Sequence, residues 1–417
     1  MIFGRYSLRG KKPIVIGVVL RKFDPSTGVS KFVVEITKRV SASLAKFVIV
    51  TNVLVNRHVS NLDHLKIYQI GGSSTFFLFK VSRIKSIMDS ENVDVISIHG
   101  GFFASIALPF YRHLSIPIVF VSHATKCLLR DFRFLKPRDF TIQWRLLFDL
   151  GDVILSLLTP RRVLSMLVKQ KNLVAMVYPT YEETINAQKY LPKRKILTLP
   201  SGGADIHEPS SSNPSHIANA NDSLKSSPII FFFGRCRLTR GVDVLIDAFS
   251  IVRQEFSDCK LCLFLLDDKD REKIVQKIRK SKERKGIILR VKHQKNIRKS
   301  LQLAHVVVLP FRWGRSMPSY PLTVLEAMCG GKVVVTSRVG AITKIIRDGK
   351  NGFFIDDPRN PTEIADKILR VLSDSGLCAK IGANAKKTIE QSFQWKNLAA
   401  SFYGIHLNAL RTWRKLQ

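Results

Sequence analysis

The sequence predicts an α/β protein built from two doubly wound domains. Short apolar runs of strand length alternate with helix-length segments along the chain of 417 residues. This alternation is typical of parallel sheets covered by helices on both faces. The strand–helix pattern forms two series with a polar stretch between them, and a domain usually has about 100–200 residues. Two domains therefore fit both the pattern and the length.

The first series occupies the first half of the chain. Its predicted strands are PIVIGVVL, KFVIVTN, VDVISIHG, PIVFVSH, DVILSLL and KILTLPSGG. The turn DPSTG after the first strand leads into an amphipathic helix with Val33, Ile36 and Val40 on one side, the spacing of a helix that packs on a sheet. We therefore predict an N-terminal Rossmann-like domain over residues 1–206.

A polar segment separates the two series. Residues 207–228 are rich in Ser, Asn and Pro and have no periodicity, the profile of a linker. The second series follows with the predicted strands IIFFFG, KLCLFLLD, GIILRVK, HVVVLP, KVVVTS and GFFID. We predict a second Rossmann-like domain over residues 229–390, facing the first domain across a cleft.

Charge is the most extreme feature of the composition. The chain has 67 Lys and Arg against 32 Asp and Glu, a formal net charge of +35. This balance attracts anions such as nucleic acid, anionic lipid and phosphorylated small molecules. The densest basic run, residues 269–300, contains no aromatic side chain, whereas single-strand nucleic-acid binders pair basic grooves with aromatic rings. Nucleic acid is therefore the least favoured of these partners.

Cysteine usage and hydropathy indicate the compartment. The six cysteines are scattered through the chain, which fits a reducing cytosol better than a disulfide framework. Cys259 and Cys262 form a C-x-x-C without a second ligand pair nearby, and we interpret both as small apolar residues of a buried strand. No apolar run reaches the about 20 residues that a membrane span needs. We therefore expect a cytoplasmic protein.

The ends of the predicted strands supply the first candidate residues, because ligands of open α/β sheets bind beyond the carboxyl ends of the strands. Gly28 follows the first strand, where the backbone turns tightly or lets a ligand approach, although an ordinary turn explains it equally well. His123 ends the segment PIVFVSH. A lone histidine is usually structural, but this one is placed toward the predicted cleft, and both interpretations stay open.

The loop in FFFGRCRLTRG carries two fixed positive charges. Arg235 and Arg240 lie between Gly234 and Gly241, directly before a predicted helix. Guanidinium groups match phosphate oxygens, and the N-terminus of a helix favours anions. A diphosphate is therefore the predicted ligand. The alternative is that a chain of this charge carries arginines in any surface loop.

The segment MPSYPLTVLEAMCGG predicts a short helix with Pro321 at its first position. Thr323, Glu326 and Gly330 then share one face. The face expected in the core consists of Leu322, Leu325 and Met328. A buried carboxylate is costly unless it is satisfied, and two vicinal ribose hydroxyls would satisfy Glu326. The alternative is an exposed Glu326 on the outer face of the helix.

Three segments of the second half belong together: FFFGRCRLTRGVDVLIDAF, HVVVLPFRWGRSMPSYPLTVLEAMCGGKVVVTSRVGAI and DGKNGFFID. They resemble the donor-binding half of retaining glycosyltransferases of the GT-B fold, in particular glycosyltransferase family 4. The first half resembles the acceptor-side domain of this family more loosely, in STGVSKFVVEITKRV, VDVISIHGG, IPIVFVSHATK and KILTLPSGGAD. Residues 391–417 resemble the family's C-terminal helix that crosses back to the first domain.

The resemblance implies a role for each candidate. Arg235 and Arg240 would hold the donor diphosphate. Glu326 would bind the nucleotide ribose, and His123 would lie near the transferred sugar. The implied catalytic residues are His123, Arg235 and Arg240. The implied donor-binding residues are Gly28, Gly234, Arg235, Arg240, Ser319, Tyr320, Leu322, Thr323 and Glu326.

The chain departs from the family pattern at several positions. Pro318 replaces the first acidic residue of the family, eight places before Glu326. Lys344 replaces the acidic residue of the G-G-I-P-E segment, and Ser201 stands at the usual Asn between the domains. The change at Pro318 bears on catalysis, because the family's glutamate is thought to contact the sugar or to assist departure of the nucleotide.

The activity implied by the family is transfer of a sugar from a nucleotide-diphosphate sugar with retention of the anomeric configuration. Arginines and helix amides would stabilise the departing diphosphate, so we expect no metal and no other cofactor. The expected acceptor is a glycan or a lipid-linked molecule, and basic, aromatic-rich segments of the first half suit a peripheral hold on an anionic membrane surface. The second hypothesis is a protein of the same fold that binds nucleotide sugar or a partner without catalysis.

Overall fold

The computed structural model describes residues 12–24, 28–55, 62–71, 77–101, 104, 107–123, 170–189, 196–205, 227–291, 297–312 and 320–417. The chain divides into two compact units. Unit 1 contains the described parts of Met1–Ala124, Leu155–Leu199 and Trp395–Gln417, and unit 2 contains those of Pro200–Gln394. The predicted strand DVILSLL and residues 207–226 of the predicted linker lie outside the described residues.

Strands and helices alternate along most of the described chain. The strands are β1 (Ile14–Phe23), β2 (Ala45–Leu54), β3 (Leu65–Gln69), β4 (Val95–Gly100), β5 (Ile118–Ser122), β6 (Leu173–Tyr178), β7 (Ile196–Thr198), β8 (Ile229–Arg235), β9 (Lys260–Leu266), β10 (Ile287–Val291), β11 (Val306–Leu309), β12 (Val333–Ser337) and β13 (Phe353–Ile355). The helices are α1 (Gly28–Arg39), α2 (Val81–Ser90), α3 (Tyr181–Gln188), α4 (Val242–Glu255), α5 (Arg271–Lys280), α6 (Ile297–Gln302), α7 (Leu322–Cys329), α8 (Pro361–Leu372), α9 (Ser375–Ser392) and α10 (Trp395–Arg414).

The described strands of unit 1 form one parallel sheet in the order β3-β2-β1-β4-β5-β6-β7. The chain runs outward from β1 to β3 and then crosses to β4 on the other side of β1. The topological switch point therefore lies between β1 and β4. β4 and β5 are buried along nearly their whole length, as expected for inner strands of a parallel sheet. β5 is almost entirely apolar, whereas β4 carries two polar residues, Ser97 and His99.

Helices α1 and α10 pack against each other in unit 1, and α10 also contacts β4, β5 and β6. Phe32 of α1 lies at the centre of this contact, with its ring centroid 6.1 Å from those of Trp395 and Phe402. All three aromatic side chains are buried. Packing of the C-terminal helix thus covers the strands that carry the histidines described below.

The described strands of unit 2 form a second parallel sheet, in the order β10-β9-β8-β11-β12-β13. From β8 the chain runs outward through β9 to β10 and then crosses to β11 on the other side of β8. The switch point of this sheet therefore lies between β8 and β11. The core is apolar and fully buried around Phe231, Phe232 and Phe249. The prediction of two parallel, doubly wound sheets is confirmed.

Two strands of unit 1 were not predicted from the sequence. β3 (LKIYQ) lies at the edge of the sheet and is only partly buried. Polar residues therefore interrupt its apolar ones, and no continuous apolar run marks the strand in the sequence. β6 (LVAMVY) lies inside the sheet, but a short apolar run of this kind is also compatible with a buried helix. None of the described helices combines the length and apolar character needed to cross a bilayer.

Candidate functional site

Gly234 and Arg235 are the last two residues of β8. Their backbones pair with Leu265 and Leu266 of β9, so the sheet fixes the position of Arg235. Gly234 has a φ of +151°, a conformation that residues with a side chain rarely adopt. The strand therefore ends at a glycine turn that places a guanidinium group at the carboxyl edge of the sheet.

Gly241 ends the loop after β8 and precedes α4. Its φ is +76°, and a Cβ atom at this position would lie 2.1 Å from the carbonyl oxygen of Pro310. This close approach requires glycine. In addition, the amide of Arg312 donates a hydrogen bond of 3.0 Å to the carbonyl of Thr239. Two contacts therefore hold the loop after β8 against the loop after β11.

These two loops flank the switch point of unit 2. β8 and β11 are hydrogen-bonded neighbours, and their following segments leave the sheet in different directions. In open parallel sheets, ligands bind in the crevice outside the carboxyl ends of the strands at such a point. Residues 236–241 and helix α7 are the elements that follow the two strands, so they are the elements expected to contact a ligand.

Three arginines and one carboxylate, here called the arginine cluster, surround the end of β8. Nε of Arg237 lies 2.6 Å from Oδ2 of Asp268, and a terminal nitrogen of Arg235 lies 3.4 Å from the same oxygen. Arg240 is buried, with its guanidinium 5.1 Å from the ring centroid of Phe311. Burial, together with the charges of Arg237 and Arg235, lowers the pKa of Arg240 to about 9.

The charge of the arginine cluster is unbalanced. Burial raises the pKa of Asp268, but the hydrogen bond from Arg237, the amide of Lys269 and the nearby guanidinium charges outweigh burial and leave that pKa below its ordinary value. Asp268 is therefore ionised at neutral pH, and it is the single carboxylate among the four side chains of the cluster. A second carboxylate, that of Asp270, accepts a hydrogen bond of 3.0 Å from the amide of Leu238 in the same loop. An anion with adjacent phosphate groups would offset the repulsion that, after burial, contributes to the lowered pKa of Arg240.

Helix α7 begins one residue later than the sequence predicted. Pro321 is the N-cap, with φ −64° and ψ 119°, and Leu322 is the first helical residue. The prediction of Pro321 at the first helical position is therefore wrong by one residue. The fixed φ of proline is compatible with both positions, so the sequence did not distinguish an extended ψ from a helical one.

Helix α7 has a buried face and a face with polar groups. Leu325 and Met328 are fully buried, as predicted, whereas Leu322 is only partly buried against the core. Glu326 is half-buried. Oγ1 of Thr323 is buried and has no hydrogen-bond partner among the described residues. An unsatisfied buried hydroxyl costs about 1–3 kcal/mol, so a ligand oxygen at this position would stabilise the helix start.

The remaining predicted donor-binding residues lie in different surroundings. Tyr320 is buried, with its ring centroid 5.2 Å from that of Phe393, so its ring packs in the core of unit 2. Gly28 is the first residue of α1 in unit 1 and is half-buried. Ser319 lies outside the described residues, as does Pro318. Lys344 is exposed, in the short 3₁₀ helix Gly340–Lys344 after β12.

His123 follows β5 in unit 1 and is buried beside other polar side chains. Its Nε2 lies 2.7 Å from Nδ1 of His99, and Nε2 of His99 lies 2.9 Å from Oγ of Ser97. The two imidazole rings are stacked, with centroids 5.0 Å apart. Phe32 contacts the ring of His123 edge-on, at 5.2 Å between centroids. A continuous hydrogen-bonded chain therefore runs from β4 to His123.

Burial keeps His99, His123 and His406 of unit 1 neutral. It lowers the pKa of His123 to about 3 and, against a hydrogen bond to the carbonyl of Phe402, lowers the pKa of His406 to about 4. Burial, followed by the charges of His123 and His406, holds the pKa of His99 well below its ordinary value. At neutral pH His123 is therefore suited to hydrogen bonding and not to carrying a positive charge.

Four residues that the structure brings to these positions were not predicted from the sequence. They are Arg237 and Asp268 in unit 2, and Ser97 and His99 in unit 1. Arg237 was visible inside RCRLTR, and the alternation in VISIHG places residues 97 and 99 on one face of β4. The pairing of Arg237 with Asp268 joins two loops 31 positions apart, and no short motif indicates such a contact.

The sequence around the arginine cluster is similar to that of a known protein family. Residues 216–388 match the family model described as Glycosyl transferases group 1. This part of the chain is therefore similar to the Glycosyl transferases group 1 family. This range includes the whole arginine cluster and helix α7.

Two curated relatives align with a little under half of the chain. An uncharacterized glycosyltransferase of Methanocaldococcus jannaschii is 29% identical over 183 residues, which are 44% of this chain and 45% of the relative. Spore coat protein SA of Bacillus subtilis is 25% identical over 190 residues, 44% of this chain and 49% of the relative. The aligned part of the chain thus spans a little under half the length of each relative.

Solved structures match nearly the whole chain. A glycosyltransferase from Rickettsia africae has 16% identity and a TM-score of 0.70, covering 96% of this chain and 99% of that one. Sucrose-phosphate synthase from Thermosynechococcus elongatus has 15% identity and a TM-score of 0.73, covering 96% and 100%. Anabaena HepE in complex with UDP-glucose has 16% identity and a TM-score of 0.67, covering 95% and 100%. At this identity the likeness is one of fold, and the predicted GT-B class is confirmed.

Proposed function

We propose that this chain is a retaining glycosyltransferase of family 4 type that moves a sugar from a nucleotide-diphosphate sugar to a glycan or lipid-linked acceptor. The observation that carries the proposal is the arginine cluster at the switch point of unit 2. Burial, followed by the charges of Arg237 and Arg235, lowers the pKa of Arg240, and a diphosphate would offset the positive charge that these arginines bring to the end of β8. The matched Glycosyl transferases group 1 domain supports the same ligand class.

Each residue of the proposed site has a defined task. Arg235 and Arg240 bind the diphosphate and stabilise the negative charge that builds on it as the sugar departs, without reorganisation at the moment of reaction. The carboxylate of Glu326 accepts the ribose hydroxyls, and the hydroxyl of Thr323 binds a phosphate oxygen. His123 hydrogen-bonds the transferred sugar. Because the cations are side chains, the proposed reaction requires no metal.

UDP-sugars are the first donors to test. The Anabaena HepE structures hold UDP and UDP-glucose, and a relative from Salmonella typhimurium that is 22% identical over 223 residues is a lipopolysaccharide 1,2-N-acetylglucosaminetransferase. These facts describe the relatives. They support a UDP-sugar donor for this chain and a glycan-bearing lipid as the first acceptor class to examine.

The test is a thermal-shift screen of UDP-, GDP- and ADP-sugars on the wild type and on Arg235→Ala and Glu326→Ala. We expect one nucleotide class to raise the melting temperature of the wild type and to lose this effect in both variants. Arg279→Ala, which removes the same charge from an exposed position of α5, is the matched control and should respond as the wild type does. Equal responses of all four proteins would contradict the proposed site.

A second candidate function is nucleotide-sugar binding without transfer. The observation that favours it is the exposed Lys344, a positive charge at a position where the family has an acidic residue. Product formation separates the two functions: the donor identified by thermal shift is incubated with glycan and lipid-linked acceptors, and products are detected by mass spectrometry. Donor binding with no product from any acceptor or water would favour the binding protein.

We also propose that the protein binds peripherally to anionic lipid at the cytoplasmic face of a membrane. The basic, aromatic-rich sequence that motivates it, residues 111–171, lies mostly outside the described residues. Co-sedimentation with phosphatidylserine-containing vesicles should be strong at low salt and weak at high salt, because surface charge attraction is screened. Absence of binding to these vesicles at low salt would contradict the membrane proposal and leave the donor site unaffected.

A further inference from the structure

The hydrogen-bonded chain formed by Ser97, His99 and His123 is anchored on two adjacent strands. Ser97 and His99 lie two residues apart on one face of β4, which pairs in parallel with β5. The amide of His123 donates to the carbonyl of Gly100 over 3.1 Å, so the residue after β5 is held against the residue after His99. All three side chains are buried. The sheet therefore sets the positions of Ser97 and His99, and a backbone hydrogen bond to the end of β4 holds His123 beside them.

One arrangement of the protons along this chain gives the hydroxyl of Ser97 an acceptor for its proton. Ser97 is fully buried, and Nε2 of His99 is the partner of its hydroxyl among the described residues. A buried hydroxyl proton without an acceptor is costly, so Ser97 donates to Nε2 of His99. A neutral imidazole carries one proton. His99 must then carry its proton on Nδ1, the atom that faces His123.

The same reasoning extends one residue further. Nδ1–H of His99 donates to Nε2 of His123 over 2.7 Å, so Nε2 of His123 is the acceptor and its single proton is on Nδ1. In the opposite arrangement, with every proton shifted the other way, the hydroxyl of Ser97 would receive a hydrogen bond and lose the acceptor for its own proton. Burial keeps both imidazoles neutral, which excludes an arrangement with an additional proton at neutral pH.

We propose that Ser97 and His99 are positioning residues that fix His123 as the Nδ1–H tautomer and thereby make it a hydrogen-bond donor to an oxygen of the transferred sugar. The identity of the acceptor oxygen rests on the proposed function, whereas the tautomer does not. An Nδ1–H donor of fixed direction selects an oxygen acceptor at that position, because a donor presented by the ligand instead would leave two protons facing each other.

The tautomer is measured directly by ¹⁵N NMR of protein labelled in its histidine rings, in which protonated and unprotonated ring nitrogens have separate shifts. His123→Gln identifies the signals of His123. In the wild type at pH 7.5 we expect a protonated Nδ1 and an unprotonated Nε2 for His123. In Ser97→Ala, Nε2 of His99 loses its partner in both proton arrangements, so His123 should become a mixture of tautomers. Ser97→Thr keeps the hydroxyl and should restore the single tautomer.

Activity gives the second readout. Ser97→Ala should lower kcat/KM for sugar transfer about tenfold, with the loss in kcat, and Ser97→Thr should recover most of it. The thermal shift caused by UDP, which carries no sugar, should be the same in all three proteins. A protonated Nε2 on wild-type His123 would overturn the proposal, as would an unchanged tautomer in Ser97→Ala. The expected tautomers in a protein without transferase activity would support the hydrogen-bond chain and refute the proposed function alone.

Discussion

Arg237 donates a hydrogen bond of 2.6 Å to the carboxylate of Asp268, which also lies 3.4 Å from Arg235. Asp268 therefore holds part of the positive charge that a diphosphate would use. We predict that Asp268→Asn binds nucleoside diphosphate more tightly than the wild type by several-fold, because Arg235 is released from a competing anion. Isothermal titration with UDP, or with the diphosphate found in the donor screen, measures the effect.

The same substitution should destabilise the ligand-free protein. Loss of the charged hydrogen bond leaves Arg237 facing a neutral amide, at a cost of about 2 kcal/mol in the free energy of unfolding. Urea unfolding without the nucleotide measures this loss of stability, and urea unfolding with the nucleotide measures the additional stability that binding supplies. Asp247→Asn, which removes an exposed carboxylate paired with Lys277, is the control and should change neither quantity appreciably. Weaker nucleotide binding in Asp268→Asn would show that Asp268 supports the ligand and does not compete with it.

Gly241→Ala should disrupt the contact between the loops that follow β8 and β11. The new methyl group would meet the carbonyl oxygen of Pro310 at 2.1 Å, in addition to the unfavourable positive φ. We expect a loss of about 3 kcal/mol or more in the free energy of unfolding. Gly349→Ala is the matched control, because Gly349 has a φ of +68° and a methyl group there would have no atom within 4 Å. It should lose only about 1 kcal/mol, and equal losses would argue against the clash.

Glu326→Ala should weaken nucleotide binding through the ribose alone. We expect about a tenfold or greater increase in Kd for the nucleoside diphosphate, because a charged hydrogen bond to two hydroxyls is lost. A 2′,3′-dideoxy nucleotide offers no such hydroxyls. The substitution should therefore leave the Kd of that ligand nearly unchanged. Equal weakening of both ligands would mean that Glu326 acts elsewhere.

The buried histidines of unit 1 predict a loss of stability in acid. The unfolded chain gains protons as the pH falls below the ordinary histidine pKa of 6.5, while folded His123 and His406 stay neutral down to about 3 and 4. The unfolded state then binds more protons, so the free energy of unfolding falls with pH, by about 2 kcal/mol per histidine at pH 5. Above pH 7 this contribution is fully present.

His406→Leu isolates one of these contributions. Urea unfolding at pH 7.5, 6 and 5 measures how far the free energy of unfolding falls in acid. Between pH 7.5 and pH 5 this fall should be smaller for the variant than for the wild type, by about 2 kcal/mol. His113→Gln changes an exposed histidine and should follow the wild type. If His406→Leu loses as much stability as the wild type between pH 7.5 and pH 5, then His406 is not the source of the acid sensitivity.

Local sequence patterns predicted much of unit 2 because its strands are continuous apolar runs. VVVL and VVVTS, for example, are fully buried strands, and glycines mark the turns where the backbone has to adopt a positive φ. The edge strand β3 was missed because only one of its five residues is buried. Periodicity also did not separate the N-cap from the first helical residue at Pro321, since proline suits both.

The candidate site was harder to predict from the sequence than the fold. Arg235 and Arg240 stand in a recognisable loop, whereas the partners that set their charge state come from other strands. Asp268 reaches Arg237 only because β8 and β9 pair in register, and His99 meets His123 only because β4 and β5 do. Such long-range pairings depend on the sheet order, which a single sequence does not contain.

The attachment of Arg235 to an interior strand has a consequence for motion. Interior strands of a parallel sheet open only with the larger part of their domain, so their amides are among the slowest to exchange with deuterium. β8 has neighbours on both sides, so the anchor of this guanidinium should stay fixed while the surrounding loops fluctuate. Ligand capture would then depend on loop fluctuations around an immobile anchor, and deuterium uptake should change on ligand addition in residues 236–241 and not in β8.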